Sequence, residues 1–133
     1  MLCLAAAAPA AAQEPACPSG NLLAKKSPVA APGVSHAKRL TNEVMSGEGD
    51  PWKSEFTSVL SGEQSYVVYD LGTVTGITAA DLQGDNNDDY IIDVSDDGQV
   101  YTQLWVGDPV SGEGMRRRGA RGLGGRARFV RIR

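Results

Sequence analysis

Alternation of apolar and polar residues becomes regular only beyond residue 65. Ser65-Tyr66-Val67-Val68-Tyr69-Asp70-Leu71 places Val67, Tyr69 and Leu71 on one face, and Gly72 predicts its end. Thr73 to Gln83 carries the β-formers Val74, Thr75, Ile77, Thr78 and Leu82, and Gly84-Asp85-Asn86-Asn87-Asp88 follows as a polar loop. Tyr90 to Ser95 and Val100 to Val106 flank Asp97-Gly98. Asp and Gly tolerate the positive φ that a tight hairpin turn needs, so these two runs are expected to pair. Met115 to Arg118 predicts a short strand, Gly119 to Gly125 a glycine-rich connector, and Ala127 to Ile132 a closing strand. Short strands separated by turn signals, with neither repeats nor heptads, predict an all-β fold, an antiparallel sandwich or barrel.

The first half of the chain is less regular. Ser35 to Met45 suits a helical turn, or a loop that packs Leu40 and Val44 inward; Ser46 to Pro51 breaks it and delivers Trp52 from a turn-rich segment. Residues 13–20, with Pro15, Pro18 and Gly20, form a linker, and the folded part is expected over 21–133. Residues 1–12 are small and apolar, and Ala10-Ala11-Ala12 before Gln13 satisfies the small-residue rule for leader cleavage, although no Lys or Arg precedes the run. This predicts an exported protein, secreted, periplasmic or at the cell surface. The run is shorter than the roughly 20 residues that a membrane-spanning helix takes. Removing it takes away Cys3 and leaves Cys17 unpaired. With one histidine, His36, and no CxxC, the chain cannot assemble a Cys/His zinc site.

Charge changes the picture more than composition does. Residues 1–114 hold four Lys, one Arg and all sixteen acids, a net −11, whereas residues 115–133 hold eight Arg and no acid, +8. The two parts attract each other, so the terminal arginines are expected to pair with the protein's own carboxylates, and no nucleic-acid partner is expected.

Asn21-Leu22-Leu23-Ala24-Lys25-Lys26-Ser27-Pro28, Trp52-Lys53-Ser54 and Tyr69-Asp70-Leu71-Gly72 followed by Ile77 make up the first part of a longer pattern. Tyr90 to Gly98, Tyr101, Leu104-Trp105 and Ala127 to Ile132 complete it. In this order the segments resemble the discoidin domain, also called the coagulation-factor type C domain, of galactose-binding-domain-like type and related to family-32-type carbohydrate-binding modules. The resemblance implies an antiparallel jelly-roll β-sandwich of about eight strands whose loops at one end form a non-catalytic binding surface for glycans, lipid head groups or proteins. It also implies a closing strand that this sequence does not contain after the arginine-bearing one. A sheet lacking that partner would expose an edge and be marginally stable or associate through it.

Residues suited to such a surface are Trp52, Asp85, Asn86, Asn87, Asp88, Trp105, Arg116 and Arg118. Acceptors and amides on a rigid loop match sugar hydroxyls, aromatic rings match a sugar's apolar face, and arginine forks match anions. Each has a structural alternative. The Asn and Asp side chains are able to bond their own backbone, Trp52 to pack as a core plug, and Tyr101, Gln103 and Trp105 to form either an exposed stripe or a buried one. Arg116 and Arg118 are equally able to fix the Asp85–Asp89 loop. The resemblance further implies a structural calcium near Asn42 and Asp50; no other cofactor is expected. Asp93 to Gly98 imitates the start of an EF-hand, but its twelfth position is Leu104. Adjacent Ser35 and His36 do not constitute a nucleophile and base, so no enzyme is expected. The leading expectation is carbohydrate or cell-surface recognition. A structural module between the domains of a larger envelope protein, and acidic-lipid or polyanion binding at a membrane surface through the arginine-rich end, are the alternatives.

Overall fold

A computed structural model describes residues 1–5 and 20–133. Its seven strands, all antiparallel, are β1 (Leu2–Ala5), β2 (Val34–Ser35), β3 (Val59–Leu60), β4 (Val67–Asp85), β5 (Tyr90–Ser95), β6 (Thr102–Gly107) and β7 (Met115–Ile132). They form a five-stranded sheet, ordered β1-β4-β7-β5-β6, and a small β2-β3 sheet. The all-β antiparallel class expected from the sequence is the one observed. Tyr69, Ile77, Leu82, Ile92, Val130 and Ile132 from the large sheet pack with Leu23 and Leu40 in one core. Leu40 sits on a short 3-10 helix, Ala37–Thr41, and points inward as expected. Val44 does not; it is exposed, because the helix ends at Thr41.

Two glycine signals were expected to end strands and instead bend them. β4 continues through Gly72: Asp70 faces Phe129 and Thr75 faces Ala127, so four residues of β4 bulge against one of β7. Gly72 takes φ 89° there, and its N–H donates to Asp70 Oδ1 at 2.7 Å. The glycine-rich connector is likewise part of β7. Between the Ile77–Gly125 and Ala79–Arg121 pairs, Gly122, Leu123 and Gly124 bulge against Thr78 alone, with Gly122 at φ 69°. The β5–β6 hairpin forms as predicted, and Asp97 Oδ1 accepts the N–H groups of Gln99 and Val100 in its turn.

Within the 1–12 segment expected as a removable leader, Leu2–Ala5 form strand β1, and residues 6–12 lie outside the described residues. Leu2 and Leu4 are fully buried, and Leu2 to Ala5 pair with Leu82 to Ala79 along β4. Leu22 N–H donates to the Leu4 carbonyl at 2.7 Å, so β1 is held on both sides. Cys3 is disulfide-bonded; Cys17 and linker residues 13–19 lie outside the described residues.

The segregated charges meet across the sheet. Arg117 and Arg121 pair with buried Asp81, Arg128 binds Asp70, and Arg131 and Arg133 both reach buried Asp93. These five arginines thus serve the protein's own carboxylates, as the charge pattern predicts.

Candidate functional site

A cavity of about 510 Å³ opens beside the end of β4, between the 46–58 segment and the turn after Asp85. Trp52 and Phe56 line it while remaining 47% and 51% exposed. Trp52 is therefore not the buried plug that its setting among Pro51 and Lys53 allowed. The segment that carries both rings is fixed at two places. Buried Gln83 exchanges hydrogen bonds with the Ser46 backbone, accepting its N–H at 2.9 Å and donating to its carbonyl at 2.8 Å. Gly49 N–H donates to the Met115 carbonyl and Met115 N–H to the Asp50 carbonyl, at 2.9 and 2.8 Å. Behind Phe56, buried Thr57 closes a turn on Ser54 and accepts at its carbonyl a 3.2 Å bond from Arg39. Exposed aromatics on a segment so anchored are a preformed platform.

Asp85, Asn87 and Asp88 also line the cavity. Their loop is held from below by Arg118, which is buried and donates to the backbone carbonyls of Asp85 and Asp88. Its guanidinium lies 5.3 Å from the Tyr90 ring centroid, and the Tyr90 hydroxyl accepts the Asp85 N–H at 2.9 Å. Burial raises the Tyr90 pKa, keeping the hydroxyl neutral. Gly84 is required here: a Cβ would stand 2.4 Å from the Tyr90 ring. We predict that Gly84→Ala displaces Tyr90, lowers stability by about 1–3 kcal/mol by overpacking and loosens the loop. Urea unfolding and amide exchange at Asp85 to Asp88 check it.

Other candidate residues lie elsewhere. Asn86 turns away from the cavity, its amide donating to the Gly112 carbonyl at 2.8 Å. Trp105 packs against the core, so Tyr101, Gln103 and Trp105 do not form an open stripe; Arg131 covers the Tyr101 ring at 4.2 Å. Arg118 fixes the loop through carbonyls rather than meeting a ligand, and Arg116 lies 3.6 Å from Glu48. At the calcium position expected near residues 42 and 50, Asn42 Oδ1 accepts the Val44 N–H and Asp50 Oδ2 the Gly47 N–H. Among the described residues no three His, Cys, Asp or Glu side chains converge. Phe56 and Arg39 are cavity residues that pattern reasoning passed over. Phe56 was signalled by a second aromatic four residues after Trp52, and Arg39 by being the one arginine before residue 115.

No family model matches the chain, and no curated protein does. Among solved structures, the chain is similar to one described as a glycoside hydrolase, 24% identical over 51% of this chain and 16% of that one, at TM-score 0.37. It is also similar to CpGH89CBM32-6 of Clostridium perfringens, 27% identical over 53% of this chain and 60% of that one, at TM-score 0.41. The chain thus spans less than two thirds of either structure, and likeness at these scores assigns no function.

Proposed function

We propose that this chain is a non-catalytic module that binds glycans in the Trp52–Asp88 cavity. The observation that carries it is two half-exposed aromatic rings on an anchored segment, lining one cavity together with carboxylates and an amide. A sugar ring presents C–H groups on one face and hydroxyls at its edge. Trp52 and Phe56 are suited to the face, and Asp85, Asn87 and Asp88 to the hydroxyls, with little ordering left to do on binding. Affinity at one such site would be weak. It becomes useful when the module is repeated or joined to another domain, as at the surface of a cell.

Polyanion or acidic-lipid binding by the arginine-rich strand is less well supported, since Arg117, Arg121, Arg128, Arg131 and Arg133 already hold carboxylates. Trp52→Ala is expected to weaken glycan binding at least tenfold, about 1.4 kcal/mol or more, with no change in the circular dichroism spectrum. A glycan array followed by calorimetry on the strongest ligand checks both. Full binding by the variant would remove Trp52 from the site; an array with no reproducible ligand would overturn the proposal.

A further inference from the structure

Two cavities meet at Arg39. Next to the aromatic one lies a second, of about 540 Å³, whose polar lining is Ser35, His36, Arg39, Lys53, Ser54 and Glu55. Arg39 and Val59 belong to the walls of both. Arg39 is half-buried, and one of its N–H groups is spent on the Thr57 carbonyl. Among the described residues neither Arg39 nor Lys53 forms an ion pair with a carboxylate, in contrast to Arg117, Arg121, Arg128, Arg131 and Arg133. Where those arginines hold carboxylates, Arg39 leaves a guanidinium open at the junction of two cavities. The bond to Thr57 restricts that guanidinium, and its remaining N–H groups form the fork that carboxylate and sulfate oxygens accept.

Charge is uneven along the combined groove. Asp85 and Asp88 line the aromatic cavity, Lys53 and Glu55 the other, and Arg39 adds its positive charge where the two meet. From this polarity we infer that the preferred ligand is an anionic saccharide, with a carboxylate or sulfate group seated against Arg39 and Lys53. Neutral sugar hydroxyls then face Asp85 and Asp88, where an anionic group would be repelled. The inference rests on the glycan-binding proposal and narrows its ligand class.

The test is calorimetric titration of the full chain with an oligogalacturonate, its carboxyl-reduced counterpart and a sulfated galactan oligosaccharide, at low and at moderate salt. At least one anionic oligosaccharide is expected to bind tenfold or more tighter than the neutral one, with the advantage shrinking as salt rises. Which of the two it is separates carboxylate from sulfate. Lys53→Gln should reduce that advantage several-fold while leaving the neutral ligand's affinity unchanged; Arg39→Gln, which also removes the bond to Thr57 in the shared wall, should weaken the anionic ligand by a larger factor than the neutral one, and Arg126→Gln, at an exposed position outside both cavities, should do nothing. Arg39→Lys retains charge without the fork and should fall between wild type and Arg39→Gln, provided unfolding curves of the variants match. Equal affinity for neutral and anionic oligosaccharides, abolished by Trp52→Ala, would overturn the inference and leave the glycan-binding proposal standing. Absence of binding to all three, together with a blank glycan array, would remove both.

Discussion

Leu4→Ala is expected to lower the unfolding free energy by about 2–5 kcal/mol, the range for deleting a buried leucine side chain. Leu4 is fully buried, its β-partner is Ala80, and its backbone N–H donates to Asn21 Oδ1 at 3.2 Å. Its side chain belongs to the same core as Tyr69 and Ile132. The cavity left by truncation sits between elements pinned on both sides and has little room to collapse. Val29→Ala, at a 61% exposed position, should shift the same urea curve by no more than about 0.5 kcal/mol. This experiment also decides between the two expectations for the amino terminus. If residues 1–12 leave as a leader, mass spectrometry of exported material finds Gln13 first, and the Leu4 substitution does not alter its unfolding. If β1 stays in the mature fold, Leu4 is present and the loss appears in full.

That segment shows why part of the fold could not be read from sequence. A short run of Leu, Cys and Ala has the composition of a leader core and of a strand buried on both faces; pairing along the Ala79–Leu82 edge of β4 is a long-range event that no local pattern encodes. Gly72 and Gly122 pose the same problem. Glycine at positive φ signals departure from a regular strand, yet only the partner strand determines whether the chain turns back or bulges and continues. Where the cause is local, sequence was sufficient. Asp97 organises its own turn through its own side chain, and the polar loop after Gly84 lies at a rim because Asp and Asn suit turns. The arginine–carboxylate pairing was legible because segregated charge is a property of the whole chain. Within the candidate site, Trp52, Asp85, Asn87 and Asp88 line one cavity, and each was a candidate by residue type. Arg118 could not be assigned from spacing, since a guanidinium suits backbone carbonyls below a loop as well as a ligand above it.

Asp93→Ala is expected to cost about 3 kcal/mol, the lower end of the range for breaking a buried ion pair. Its carboxylate is 3% exposed, and Oδ2 accepts bonds from Arg131 at 2.8 and 3.1 Å and from Arg133 at 2.8 Å. Both arginines retain some contact with water, 28% and 41% exposed, so solvent relieves part of the loss and the upper end is not reached. Burial alone opposes ionisation of Asp93, but the bonds from Arg133 and Arg131 outweigh it and hold its carboxyl below the ordinary carboxylate range. A carboxyl depressed in the folded state binds fewer protons there than in the unfolded chain. Its contribution is therefore complete above the unfolded value of about 3.9 and is lost as pH falls through the lower folded value. Asp70, brought down to about 2 by Arg128 and by the Gly72 N–H, acts with the same sign. Urea midpoints taken from pH 7 to pH 2 should consequently fall most steeply below pH 4 for wild type. Asp93→Ala should start lower at neutral pH and fall less steeply, converging on wild type in acid; its residual slope belongs to Asp70 and to Asp97, which is also depressed by backbone N–H bonds. Parallel curves for the two proteins would mean that Asp93 is not the group whose protonation releases the β5–β7 contact.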